Sequence, residues 1–157
     1  MKIDIKKLVI SIAIPLLVGG IAGFVTRESM MQFESLIQPP LSPPGWLFPI
    51  VWTILYTLMG ISSYLIAQSG ADEVEIAEAQ TMYYFQLALN CLWPLLFFGL
   101  NWYLFAFFEL LLLWLMVVVM IKHFAGISKT AAYLNVPYLI WLTFAAYLNL
   151  GVWWLNR

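Results

Sequence analysis

Apolar residues fall in five blocks along this chain, over about residues 8–26, 43–67, 79–100, 103–122 and 130–154. Each is close to the roughly 20 residues that an α-helix needs to cross a bilayer. The breaks between them are short or polar. The segment "QSGADEVEIAE", Gln68 to Glu78, is acidic and predicts a solvated connection. "LNW" at 100–102 is so tight that the third and fourth helices must be antiparallel neighbours. The pattern predicts an all-α membrane protein, a bundle of five transmembrane helices forming one domain over residues 1–157.

Composition agrees. The chain is 64% hydrophobic and 10% charged, far below the roughly one quarter of charged residues that a soluble domain carries. Net charge is -1, so no basic face predicts nucleic acid as a partner. Cys91 is the only cysteine and His123 the only histidine, which leaves no Cys/His cluster for a metal. Lys2, Lys6 and Lys7 precede the first block, but "VTRESMM" after it offers no small-x-small cleavage site, so the block is expected to stay as a helix. Lys2, Lys6, Lys7, Lys122 and Lys129 share the N-terminal side, against Arg27 and Arg157 on the other. That asymmetry predicts a cytoplasmic N terminus and an outward C terminus in a bacterial cell membrane. Trp46, Trp102, Tyr103, Trp153 and Trp154 then read as an outward interfacial belt.

Proline punctuates the spans. Ser42 before Pro43 and Pro44 predicts a helix start, with the serine capping and the prolines in the first turn. Pro39 and Pro40 hold the approach extended. Pro49 then falls inside the second helix, where it removes a backbone bond and crowds the Gly45 carbonyl. Pro15, Pro94 and Pro137 predict similar bends, and Pro94 frees the Asn90 carbonyl. Helices bent in this way bow around a space.

Three helical faces point at that space. Phe48, Trp52 and Tyr56 share one, Asn90, Trp93 and Phe97 a second, and Trp141, Phe144, Ala145 and Leu148 a third. Trp52, Asn90 and Trp141 lie near the middle of their blocks. A buried amide in hydrocarbon must face the bundle interior. The faces describe either ordinary core packing, which aromatic stripes more often serve, or an aromatic-walled pocket for a planar apolar ligand that Asn90 orients.

"SPPGWLFPIVWTILYTLMG" (42–60), "LALNCLWPLLFFG" (87–99) and "VPYLIWLTFAAYLN" (136–149) resemble the signatures of the TspO/translocator protein family, the tryptophan-rich sensory proteins and peripheral benzodiazepine receptors. The resemblance covers essentially the whole chain. It implies a five-helix receptor or sensor, commonly a homodimer, that binds tetrapyrroles such as protoporphyrin IX or haem, with no cofactor beyond that ligand. It also implies links to porphyrin transport and to light- and oxygen-dependent porphyrin breakdown, the one enzymatic activity it offers. Trp52 and Trp141 match the pocket tryptophans tied to that breakdown. Asn90 and Ala145 match pocket-lining positions, and Pro43, Pro44 and Trp46 match the first-loop lid and its junction with helix two. Leu41 departs from the pattern, standing where many members carry a lid tryptophan. The sterol-type pattern near the C terminus is absent, so sterol recognition by that route is expected to be weak. The alternative function is transport of porphyrin or of a lipid-like small molecule.

Four further residues stand outside these faces. Glu109, the only acid inside a span, reads as a structural group hydrogen-bonded within the bundle or at an interface. Gly19 and Gly23 permit close helix approach, serving either a dimer or the chain's own packing. His123 reads as interfacial rather than as an axial haem ligand, so stacking and shape, not iron, should govern binding.

Overall fold

The structure is a computed structural model that describes residues 2–157, and these are helical throughout apart from short connections. The helices are α1 (Ile5–Phe33), α2 (Leu47–Ala67), α3 (Glu73–Pro94), α4 (Tyr103–Ile127), α5 (Lys129–Tyr133) and α6 (Val136–Leu155). A π-helical turn, Leu95–Gly99, continues α3. Among the described residues, α1, α2, α4 and the combined α5–α6 stretch (Lys129–Leu155) are long and apolar enough to cross a membrane. The chain is an integral membrane protein built as a helical bundle. α3 is the exception in composition, because Glu73, Glu75 and Glu78 sit in its first two turns and only its later part is apolar.

Local chemistry explains where the helices begin, and it corrects several expected boundaries. Asp4 caps α1, its Oδ1 accepting from the Lys7 amide at 3.1 Å. α1 then runs on to Phe33, past the expected end near residue 26, through the polar run after Thr26. Asp72 caps α3 by accepting from the Val74 amide at 3.0 Å, and Glu73 and Glu75 complement the positive helix end. Half of the acidic segment expected as a loop is therefore helix. α2 begins at Leu47, not at Pro43. Ser42 does not cap it, because its hydroxyl donates to the Pro39 carbonyl at 2.8 Å. Pro43 and Pro44 lie ahead of the helix. Pro49 consequently stands in the first turn, where its missing N–H breaks no bond, and the expected internal break is absent. The fifth expected span is also divided. Ser128 caps α5, and Asn135 begins α6 with Pro137 in its first turn, so Pro137 starts a helix rather than bending one.

α1 packs on α2, α3 on α4 and α4 on α6, whereas α6 makes no comparable contact with α1 or α2. Glycine allows the first of these pairings. A Cβ on Gly60 would overlap the Ile12 backbone and lie 2.6 Å from the Ser11 carbonyl oxygen. The N-terminal end of the bundle is closed by a core that includes Met59, Ile66, Val117, Met120 and Phe124. Polar pins reinforce that end. Gln80 Nε2 donates to the Ser63 carbonyl, Ser63 Oγ to Gln80 Oε1, and Asn135 Nδ2 to Ser62 Oγ.

The opposite end is crossed by the α1–α2 connection, residues 34–46. Long-range bonds tie it to α6. Asn156 Oδ1 accepts from the Ile37 amide and its Nδ2 donates to the Ile37 carbonyl, both at 2.9 Å. Tyr147 donates to the Pro40 carbonyl at 2.7 Å. Pro39 is buried against Gly151, where a Cβ would come within 2.6 Å of the proline ring. Leu41 takes a left-handed backbone (φ 68°) at the bend and is 83% exposed.

Candidate functional site

Between α1, α2, α6 and the end of α3 lies a cavity of about 660 Å³, well within the 300–1,000 Å³ range of small-molecule sites. The separation of α6 from α1 and α2 makes the space, and aromatic rings furnish most of its far wall. All three residues of the first expected face, Phe48, Trp52 and Tyr56, line it. So do Asn90, Trp93 and Phe97 of the second, and Trp141, Ala145 and Leu148 of the third. Pro43 lines it from the loop. Three expected residues do not. Pro44 and Trp46 are turned outward, Trp46 being 68% exposed. Phe144 packs its ring between Trp141 and Tyr147 (centroids 5.7 and 6.1 Å) rather than facing the cavity.

The two central indoles meet edge to face, with centroids 6.5 Å apart and planes at 88°. Tyr56 stacks under Trp52 at 5.4 Å, and Phe48 sets its edge against Trp141 at 5.8 Å. Trp93 stacks on Phe97 at 4.9 Å. These contacts hold the rings at fixed angles, so the cavity presents flat π-faces in more than one direction.

Asn90 is buried (4% exposed) and faces inward. Its amide is engaged by the protein. Tyr56 donates to its Oδ1 at 2.7 Å, and its Nδ2 donates to the Tyr138 oxygen at 2.7 Å. Tyr138 in turn donates to Gln86 Oε1 at 2.8 Å. One chain of bonds therefore joins α2, α3 and α6 beneath the aromatic floor. Asn90 is thus a strut of that chain as well as a residue of the cavity wall. A second strut lies higher. Trp93 Nε1 donates to Asn149 Oδ1 at 3.0 Å, and Asn149 Nδ2 donates to the Tyr103 carbonyl at 2.8 Å.

Several wall residues were not expected at the cavity. The membrane part of α1 is apolar on all sides, so no face of it marks a pocket, yet Gly20 and Thr26 line the cavity, together with Gly19 and Gly23, which were expected only as positions of close helix approach. Gly19 works within the chain, since a Cβ there would enter the Tyr56 ring. Phe98 joins Phe97 on the wall. Pro94 lacks the N–H that would continue the α pattern, and the backbone widens into the π turn, where Leu100 bonds back five residues to the Leu95 carbonyl at 3.0 Å. The wider turn lets two consecutive rings look the same way.

The cavity is not sealed. Gly20, Pro49 and Thr53 belong both to its wall and to the outer surface, so it opens sideways between α1 and α2. Glu34, also exposed, stands at its loop end. Glu109 lies elsewhere, on the buried seam of α4. Both its carboxylate oxygens are without a hydrogen-bond partner, as is the Tyr83 hydroxyl, which overturns the expected bond to Glu109 within the bundle.

Comparison with known proteins matches the TspO/MBR family over residues 11–155. The chain is 37% identical over 139 residues to the tryptophan-rich protein TspO of Chlorobaculum tepidum, covering 87% of this chain and 88% of that one. It is 36% identical over 154 residues to the tryptophan-rich protein TspO of Archaeoglobus fulgidus, covering 98% and 99%. It is 39% identical over 142 residues to the translocator protein of Ovis aries, covering 88% and 84%. With this match, the ring-walled cavity and the apolar helices in agreement, the chain belongs to the TspO/MBR family.

Proposed function

We propose that the protein is a membrane receptor or sensor that binds a planar tetrapyrrole in the aromatic cavity, in contact with Trp52 and Trp141. The observation that carries this reading is the arrangement of the two indoles, edge to face at 6.5 Å on the wall of a 660 Å³ hollow. A macrocycle stacked on one indole presents its edge to the other, which uses both faces of the ring quadrupole. Phe48, Tyr56, Trp93 and Phe97 extend the apolar wall. In this reading α3 with its π turn crosses the bilayer as a fifth span, the N terminus is cytoplasmic and the C terminus outside in a bacterial cell membrane. The protein works as a homodimer.

The sideways opening between α1 and α2 favours a second reading, transport, because a ligand dissolved in lipid reaches the same wall without crossing water. Titration of purified protein with protoporphyrin IX, read by tryptophan quenching, tests the binding site. Trp52→Ala and Trp141→Ala should each weaken binding by about tenfold, the equivalent of one lost aromatic contact. Unchanged affinity in both variants refutes the proposed site.

A further inference from the structure

α1 and α2 are in close contact at Gly60, where a Cβ would overlap the Ile12 backbone, and again at Gly19, where one would enter the Tyr56 ring. Beyond that second contact, toward the α1–α2 loop, the helices part. A Cβ on Gly20 or Gly23 would meet nothing within 4 Å. Leu16, Gly20 and Gly23 on α1 and Pro49 and Thr53 on α2 line the cavity here, and Gly20, Pro49 and Thr53 are also exposed. Together they form a slot, closed at its foot by Tyr56, that leads from the cavity through the side of the bundle.

The chemistry of the slot is aliphatic. None of its residues is charged, and the Thr53 hydroxyl is engaged on its own helix, donating to the Pro49 carbonyl at 2.6 Å. Outside, the slot is flanked by Leu17 and Ile21 on α1 and by Ile50 and Ile54 on α2, each more than half exposed. Thr53 stands six residues past Leu47, the start of α2, roughly 9 Å along the axis. The slot therefore opens on hydrocarbon rather than on water. A carboxylate leaving that way would lose its hydration and gain no partner, whereas an alkyl chain passes from one apolar surrounding to another. The slot also begins beside the indoles. Trp52 precedes Thr53 in sequence and follows Pro49 by about one turn, so a ring resting on that indole has an edge at the slot.

We propose that the cavity accepts planar tetrapyrroles bearing a long aliphatic chain, with the ring on Trp52 and Trp141 and the chain leaving between α1 and α2 into the bilayer. Carboxylates of such a ligand stay on the edges of the ring away from the slot. The inference rests on the pocket reading above and names a ligand class within it. Because the chain moves from lipid to lipid, it adds little affinity and meets no wall, so the site tolerates a length that an enclosed pocket would reject.

The test uses the full chain in nanodiscs and three free-base porphyrin dicarboxylates that carry an ethyl, hexyl or dodecyl group on the edge opposite the carboxylates. Affinity is expressed per ligand dissolved in the lipid, and the three values should agree within about threefold. Thr53→Trp and Gly20→Leu, both at exposed positions, fill the slot and should each lower the ratio of dodecyl to ethyl affinity by about tenfold. A diazirine on the dodecyl chain close to the ring should label Leu17, Ile21, Ile50 or Ile54 on photolysis. Binding of the ethyl form with loss of the dodecyl form, a ratio that neither substitution moves, or labels confined to the loop at 34–46 overturns the chain exit alone. Binding of none of the three overturns the pocket reading and the chain exit together.

Discussion

Asn90→Leu separates the two roles open to the central amide. The substitution keeps nearly the same volume, so it opens little space, but it removes two interhelical bonds, from Tyr56 and to Tyr138, both 2.7 Å. Interhelical hydrogen bonds in membranes average about 0.6 kcal/mol and reach about 1.7, so the pair is worth roughly 1–3 kcal/mol. The groups left behind limit the loss. Tyr138 keeps its bond to Gln86, and the Tyr56 hydroxyl faces a cavity in which water or ligand can satisfy it. For a chain of this size the expected fall in melting temperature is about 2–10 °C. Thermal unfolding in lipid nanodiscs, monitored by near-UV circular dichroism, measures it, with porphyrin titration on the same sample. If Asn90 is a strut, stability falls and the affinity of the folded protein changes less than threefold. An unchanged melting temperature with tenfold weaker binding refutes that assignment and makes the amide a direct ligand contact.

Two further predictions concern packing and burial. Gly60→Ala forces α1 away from α2 through a clash with the Ile12 backbone, and overpacking of about 1–3 kcal/mol should outweigh the roughly 1 kcal/mol gain in helix propensity. Gly20→Ala, with nothing within 4 Å, is the control and should be neutral or stabilising; equal melting temperatures for the two variants would contradict the packing account. Glu109→Leu removes a buried carboxyl with no partner and should stabilise the chain by roughly 1–3 kcal/mol in chemical unfolding. A loss of stability instead would show that the carboxyl is bonded in the assembled protein.

What the sequence made legible follows the range of the interactions involved. The faces of Phe48, Trp52 and Tyr56 and of Asn90, Trp93 and Phe97 could be read because helical spacing is local, and the amide marked which side turns inward. Phe144 defeated the same rule. It follows Trp141 at the right interval, but the Tyr147 ring one turn on draws it aside. The α1 wall was invisible because a helix that is apolar all round has no marked face. The start of α2 was misplaced for another reason. Ser42-Pro43-Pro44 carries a convincing capping pattern, yet the loop's path is set by Asn156, Tyr147 and Gly151, more than a hundred residues away. Asn149 was missed likewise, because its value lies in a bond to Trp93 on another helix.

The sideways gap at Gly20, Pro49 and Thr53 has a consequence for any measurement on this protein. If the proposed ligand sits on these indoles, acyl chains of the bilayer at that gap would compete with it, and its apparent dissociation constant would be an exchange constant against lipid. Longer or more saturated tails change the number obtained without altering a single side chain, and a detergent micelle sets a different reference state from a native membrane.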